Sequence, residues 1–150
     1  MTGDPSDSVV TAWVRLVRAS NYVLSAVEND LKAAGFPSLA WYDVLLELDR
    51  SGDNHLRPFE LEARLLLEQY NLSRLMDRLV SAGYVEKLPY AGDGRGHVLA
   101  ITKRGKALLK KMWPVYRAAI DRHLGDRLCA KQTSDLSSLL NRLVRDQAKI

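Results

Sequence analysis

Six polar or basic side chains, Gln69, Tyr70, Asn71, Ser73, Arg74 and Arg78, share one segment with Leu72, Leu75, Met76, Leu79 and Val80. The apolar set recurs at helical spacing, so the polar set occupies the remaining face of a helix. Gln and Asn carboxamides can pair with an adenine edge, Arg with a guanine edge, and Ser can hold a phosphate. Crowded at a helix start, those types suit a reader of the DNA major groove, although a merely solvated polar face would look the same. A second group follows in Ala91-Gly92-Asp93-Gly94-Arg95-Gly96-His97. Its three glycines allow a tight turn that exposes Arg95, and a guanidinium on a slender loop can enter a narrow minor groove. Asp93 suits the turn itself, because phosphate repels a carboxylate.

The elements that must carry these groups are legible in order. The segment Leu67 to Gly105 reads as a helix from Glu68 to Ala82, a stop at Gly83, a strand Tyr84–Leu88, a glycine-rich loop and a strand His97–Ile101. Helix, hairpin and basic tip in that order describe a winged helix-turn-helix. Upstream, Ser8 is the expected cap of a long helix ending near Gly35, and Ser38 of a second, Leu39 to about Arg50. His55-Leu56 could form a short strand, and Pro58 suits the first position of a third helix reaching about Leu66. Downstream, Thr102 caps a long helix in which Pro114 predicts a kink or a break. A last helix is expected from about Ala130 to Ala148. The first helix has two adjacent apolar stripes, Val10-Trp13-Val17-Leu24-Val27-Leu31 and Val9-Leu16-Val23. So wide an apolar arc is buried on more than one side, and in so small a protein a partner chain could supply the second cover. The expected fold class is therefore mainly α with a small β hairpin.

These residues resemble the MarR family of transcriptional regulators. The resemblance rests on Trp41-Tyr42-Asp43-Val44-Leu45, on Asn71-Leu72-Ser73-Arg74-Leu75-Met76-Asp77-Arg78-Leu79 and on Gly83-Tyr84-Val85-Glu86. It continues through Asp93, Arg95, Ile101-Thr102 and Gly105, with the family's wing spacing intact. It implies a single domain, 1–150, with dimerisation helices at 8–35 and 103–148 around a DNA-binding lobe at 38–102. It implies a homodimer on a pseudo-palindromic duplex, acting as a repressor. Gln69, Tyr70, Asn71 and Arg74 would face bases, Ser73 the backbone and Arg95 the minor groove, with Arg78 and His97 beside them. Asp77 would pair with the wing arginine. Departures from the pattern are Arg57-Pro58-Phe59 where a Ser or Thr cap usually starts the third helix, Glu62 at a site usually held by Ala, and a lightly charged wing. A winged-helix interaction module with weak or lost DNA binding is the alternative they leave open.

Similar regulators often release DNA when a small aromatic anion binds. Trp13, Arg15, Arg18, Tyr22, Trp41, Tyr42, Met112 and Trp113 are the tentative residues for such a ligand here, against the reading that the aromatics are core and the arginines solvated. Cys129 has no second cysteine to pair with and reads as a packed residue or a helix cap.

Composition narrows the rest. The net charge of +4 is unevenly placed: residues 1–56 hold four Lys/Arg against eight Asp/Glu, residues 57–106 nine against six, and residues 107–150 nine against four. A basic excess away from the N-terminus fits a nucleic-acid partner. No apolar run approaches the ~20 residues of a membrane span, and the acidic start is neither signal nor transit peptide, so a cytoplasmic location is expected. No phosphate-binding glycine loop, zinc-protease motif or recognisable Ser-His-Asp set occurs, and His55, His97 and His123 fall on separate elements. An enzyme, a metal or a cofactor is not expected.

Overall fold

A computed structural model of the chain describes residues 4, 6–66, 71–90, 92 and 96–144. The elements are α1 (Asp7–Ala33), α2 (Leu39–Arg50), β1 (His55–Leu56), α3 (Pro58–Arg64), α4 (Leu72–Ser81), β2 (Val85–Pro89), β3 (His97–Ile101), α5 (Lys103–His123) and α6 (Ala130–Asn141), with a single 3-10 turn at Gly125–Arg127. They divide between two compact units, residues 30–116 and residues 1–29 with 117–150. The mainly α class with a small antiparallel sheet is as the sequence predicts.

In the unit 30–116 the sheet runs β1-β3-β2, antiparallel throughout, with His55 opposite Ala100 and the hairpin in register from Val85–Ile101 to Pro89–His97. Burial on β3 does not alternate: Val98, Leu99, Ala100 and Ile101 are all buried. A central strand with consecutive buried residues is covered on both faces. By contrast β2 buries Val85 and exposes its other four residues. The core around the sheet is aliphatic, with Leu31, Val44, Leu45, Leu48, Leu61, Leu79, Leu99 and Met112 inaccessible to solvent.

The end of α4 and the start of α5 are joined by short-range chemistry. Gly83 has φ +81°, and the amides of Gly83 and Tyr84 donate back to the carbonyls of Val80 and Leu79, a glycine-dependent helix stop. The Thr102 hydroxyl donates to the Gly83 carbonyl at 2.7 Å and accepts from the Gly105 amide at 3.0 Å. The Thr102 amide donates to Tyr84 O at 3.1 Å. Gly105 packs so closely on the Tyr84 carbonyl that a Cβ there would collide with backbone.

In the unit of residues 1–29 and 117–150, Val27 and Ala119 are buried. Val9, Val10, Trp13, Val14, Leu16 and Val17 of α1 are exposed, and α6 has no buried residue. The wide apolar arc of the first helix is therefore present, but its N-terminal half finds no cover within one chain.

Several boundaries differ from the sequence reading. Ser6, not Ser8, caps α1, accepting from the Val9 amide at 3.3 Å. The side chain of Ser38 makes no capping bond, although α2 begins and ends where expected. α3 stops at Arg64, and α4 begins at Leu72 instead of Glu68, because Asn71 is extended (φ −75°, ψ 93°) and caps the helix. The first strand of the hairpin starts at Val85, Tyr84 being used in the helix stop. α5 continues through Pro114 without a break. α6 ends at Asn141, followed by a turn to Leu143; the expected end at Ala148 lies outside the described residues. Among the described residues no helix is long and apolar enough to cross a membrane.

Replacing Gly105 by Ala forces that backbone contact apart, so thermal denaturation of Gly105→Ala should show a loss of about 1–3 kcal/mol, the usual range for overpacking. An unchanged melting temperature would contradict the packing described.

Candidate nucleic-acid interface

Helix α4 has a strongly two-sided character. Leu75, Met76 and Leu79 are buried while Ser73, Arg74, Asp77 and Arg78 are exposed. Spacings of three and four residues put those exposed groups on one face. Asn71 stands just before that face, exposed, and its Oδ1 accepts from the Arg74 amide at 3.2 Å. Its carboxamide oxygen is thus committed to the helix start, which leaves the amide nitrogen side to meet a ligand. Gln69 and Tyr70, predicted on the same helix, lie outside the described residues.

The hairpin lies next to this helix. Lys87 Nζ on β2 meets Asp77 Oδ1 on α4 at 3.3 Å. The expected pairing of Asp77 with Arg95 falls, like Asp93, on a residue outside the described ones; among the described residues Asp77 pairs with Lys87. Both partners are well exposed, so the pair orients more than it stabilises. Beyond Pro89 the Tyr90 amide donates to the Gly96 carbonyl at 3.1 Å, closing the base of the loop, and His97 is exposed.

The start of α3 also differs from expectation. Where a Ser or Thr cap is expected, Arg57 makes no capping bond with its side chain, and Glu60 Oε1 accepts from the Arg57 amide at 3.1 Å, the reciprocal half of a capping box. A carboxylate in the first turn also suits the helix dipole. Glu62 is exposed on the same short helix. After α3 the chain is tied to the core by a buried carboxylate: Asp43 Oδ2 accepts from the Leu66 amide at 2.8 Å. Sequence reasoning noted Asp43 only as part of the family pattern. An acidic residue among Tyr42, Val44 and Leu45 is the signal that could have identified it as a buried hydrogen-bond acceptor.

The tentative ligand residues fall in different settings. Trp13, Arg15, Arg18 and Tyr22 lie exposed on α1, in the unit of residues 1–29 and 117–150. In the unit 30–116, Tyr42 stacks on Trp113 with centroids 6.3 Å apart, and Tyr116 meets Tyr42 edge-on at 4.9 Å. Trp41 packs edge-on against Tyr84 at 5.8 Å. Met112 is wholly inaccessible, so it belongs to the core of this unit. A pocket of about 260 Å³ in the unit is lined by Ser51, Asp53, His55, Arg57, Glu60 and Tyr90 among others, and by none of the eight tentative residues. Cys129 is exposed at the N-cap of α6, with Gln132 Oε1 accepting from its amide at 3.0 Å, so it is a cap and not a packed residue.

Comparison with known proteins shows what the chain is similar to. The MarR family model matches residues 30–96. The multiple antibiotic resistance protein MarR of Escherichia coli is 30% identical over 89 residues, which are 59% of this chain and 62% of that protein. The chain thus matches less than two thirds of that relative's length. A MarR family transcriptional regulator from Streptomyces coelicolor, solved in complex with DNA, superposes with a TM-score of 0.86 at 20% identity, covering 99% of this chain and 96% of the other. Bordetella bronchiseptica BpsR, whose DNA binding is regulated by 6-hydroxynicotinic acid, superposes with a TM-score of 0.79 at 17% identity over 95% and 99% of the two chains. Identities this low establish the shared fold.

Burial, with the charge of Asp49 adding to it, pushes the Tyr42 hydroxyl above its ordinary value of 10.0. A raised folded value means that the unfolded chain loses this proton first, so stability is intact below pH 10 and falls as the pH climbs past it. Tyr42→Phe should therefore show a shallower fall of melting temperature between neutral and strongly alkaline pH than the parent. Identical pH profiles would count against a buried, neutral Tyr42.

Proposed function

We propose that this chain, whose residues 30–96 match the MarR family model, is a transcriptional regulator that binds double-stranded DNA sequence-specifically, as a homodimer on a pseudo-palindromic site. The observation that carries this reading is the exposed Ser73-Arg74-Arg78 face of α4, ion-paired through Asp77 to a hairpin that emerges beside it. In this reading α4 enters the major groove, with Arg74 and the residues Gln69, Tyr70 and Asn71 at the bases, and Ser73 and Arg78 at the backbone. Arg95 and His97 reach the flanking minor groove. The protein acts in the cytoplasm and represses by occupying its site.

The exposed apolar side chains of α1 and α6 support the homodimer. Val9, Trp13 and Tyr22 of α1 and Leu139 of α6 are each more than half exposed, as is Leu143 just beyond α6, and large apolar side chains left in water on these elements suit an interaction surface. A second copy, using the same helices, covers them in a closed two-fold arrangement. The two-fold axis then presents two copies of α4 to two half-sites.

The regulation of BpsR by 6-hydroxynicotinic acid supports a small aromatic or phenolic ligand as the signal here as well. Such a ligand releases DNA only if it binds the form that does not fit DNA more tightly than the form that does. Of its tentative contacts, Trp41, Tyr42 and Trp113 are aromatic residues of the unit 30–116, and Trp13, Arg15, Arg18 and Tyr22 are exposed in the other unit; Met112, inaccessible to solvent, is core and drops out.

Glu62 and the exposed Phe59 and Leu66 favour a second reading, a protein-binding winged helix that no longer grips DNA. Salt separates the two, because each phosphate neutralised adds to the dependence of affinity on ionic strength. Selection from a random duplex library should yield a palindrome bound with a steep salt slope. Against that duplex, Arg74→Ala should cost about 1–3 kcal/mol and relax base preference, and Arg95→Ala should weaken binding to most sequences alike. An unaltered preferred sequence and affinity in Arg74→Ala would remove α4 from the role of reader. Sedimentation of Trp13→Glu should show a shift from dimer to monomer with loss of duplex binding; a dimer that persists would place the interface elsewhere.

A further inference from the structure

The start of α3 and the base of the hairpin meet at one side chain. The Arg57 guanidinium lies 4.3 Å from the centroid of the Tyr90 ring and 5.2 Å from that of Phe59. Arg57 is half-buried, its Nε is out of reach of water, and its backbone is fixed by the bond from its amide to Glu60. Tyr90 is the residue whose amide closes the loop on Gly96, one step beyond the Pro89–His97 pair. Phe59 is 63% exposed, so its ring contributes little to the core; its described contact is with the arginine. The outer hairpin needs such a contact, because Glu86 to Pro89 of β2 are exposed and give it little apolar anchorage.

We propose that Arg57 is a positioning residue that bridges Phe59 on α3 and Tyr90 at the hairpin base, and thereby sets the angle at which the hairpin is presented to DNA. The Arg-Pro-Phe sequence that replaces the usual cap is then a device with two parts. Glu60 holds the backbone of the cap residue through its amide, and the side chain of that residue holds the wing. Attraction of a guanidinium to two ring faces is strong enough, when partly desolvated, to bias the orientation of a two-stranded ribbon. The proposal deepens the regulator reading and rests on it for its consequence at DNA, whereas the bridge itself is a property of the free protein.

The test has one arm without DNA and one with it. In the free protein, exchange of the amide hydrogens of Leu88, Tyr90 and residues 96–98 should quicken roughly threefold to fivefold in both Arg57→Ala and Tyr90→Ala, while Tyr90→Phe, which keeps the ring, stays at the parental rate. Exchange in the core of α4, at Leu75 to Leu79, should not change. Against the selected duplex, Arg57→Ala and Tyr90→Ala should each weaken binding by a similar factor, roughly threefold to fivefold, and the double variant should bind no worse than either. Parental exchange at the hairpin in Arg57→Ala would overturn the bridge. Faster exchange with parental DNA affinity would overturn its role in presenting the hairpin. Weakened binding in Arg57→Ala with parental binding in Tyr90→Ala would mean that Arg57 touches DNA directly, which also overturns it. If the parent protein binds no duplex at all, the regulator reading fails, and with it the proposed consequence at DNA, while the exchange arm still decides whether the bridge exists.

Discussion

One hydroxyl group holds the unit of residues 30–116 in its arrangement. Thr102 Oγ1 donates to the Gly83 carbonyl at the end of α4 and accepts from the Gly105 amide in the first turn of α5. The same residue's amide bonds Tyr84, the residue that leads into β2. Three elements thus converge on a single residue, two through its hydroxyl and one through its amide, and the direction of each is set by hydrogen bonds whose partners are main chain. Main-chain partners cannot change rotamer, so the node is stiff. The absence of a side chain at Gly105 is the condition for it, because the Tyr84 carbonyl occupies the space a Cβ would need.

From that node outward, order is maintained by progressively weaker means. The inner end of the hairpin is anchored by the buried Val85–Ile101 pair. Its middle is steered by the exposed Lys87–Asp77 ion pair, and its outer end meets Arg57 through an aromatic ring. This gradient, from core packing to ion pair to cation–π contact, suits an element that must be placed accurately at its root and adapt at its tip. Asp43 plays the corresponding part at the other end of the helix pair. Its carboxylate holds the Leu66 amide, where the chain leaves α3.

The sequence carried the fold well where periodicity and strong punctuation coincide. α2 and β3 fall on the residues read from the pattern, because α2 has an apolar face of regular spacing bounded by turn residues, and β3 is an apolar run ended by Thr102. Misreadings concentrate at helix starts, where side chains of neighbouring polar residues compete for the same amides. Ser6 and Ser8 are chemically alike, and only the geometry decides that the Val9 amide meets Ser6. Asn71 offers a base-reading carboxamide and a capping carboxamide in one group, and capping claims the oxygen. Glu60 secures the start of α3 by accepting from the Arg57 amide, three residues beyond the position where a Ser or Thr cap is expected. Of the interface, Ser73, Arg74 and Arg78 were legible because helical spacing puts them opposite the core; the Arg57–Tyr90 contact joins positions 33 residues apart, and no local pattern encodes it.

The sheet has a further property that bears on life at high concentration. β2 is an edge strand, and four of its five residues face solvent. An edge strand is an invitation to pair with another chain, and this one is poorly suited to accept. Glu86 and Lys87 place opposite charges side by side along it, and Pro89 withholds an amide where a neighbouring strand would seek one. β1, at the other edge, is only His55–Leu56, too short to template a partner. So exposed a ribbon is thereby protected against amyloid-like accretion, and a charge-neutral, proline-free version of β2 would trade that protection for a sticky margin.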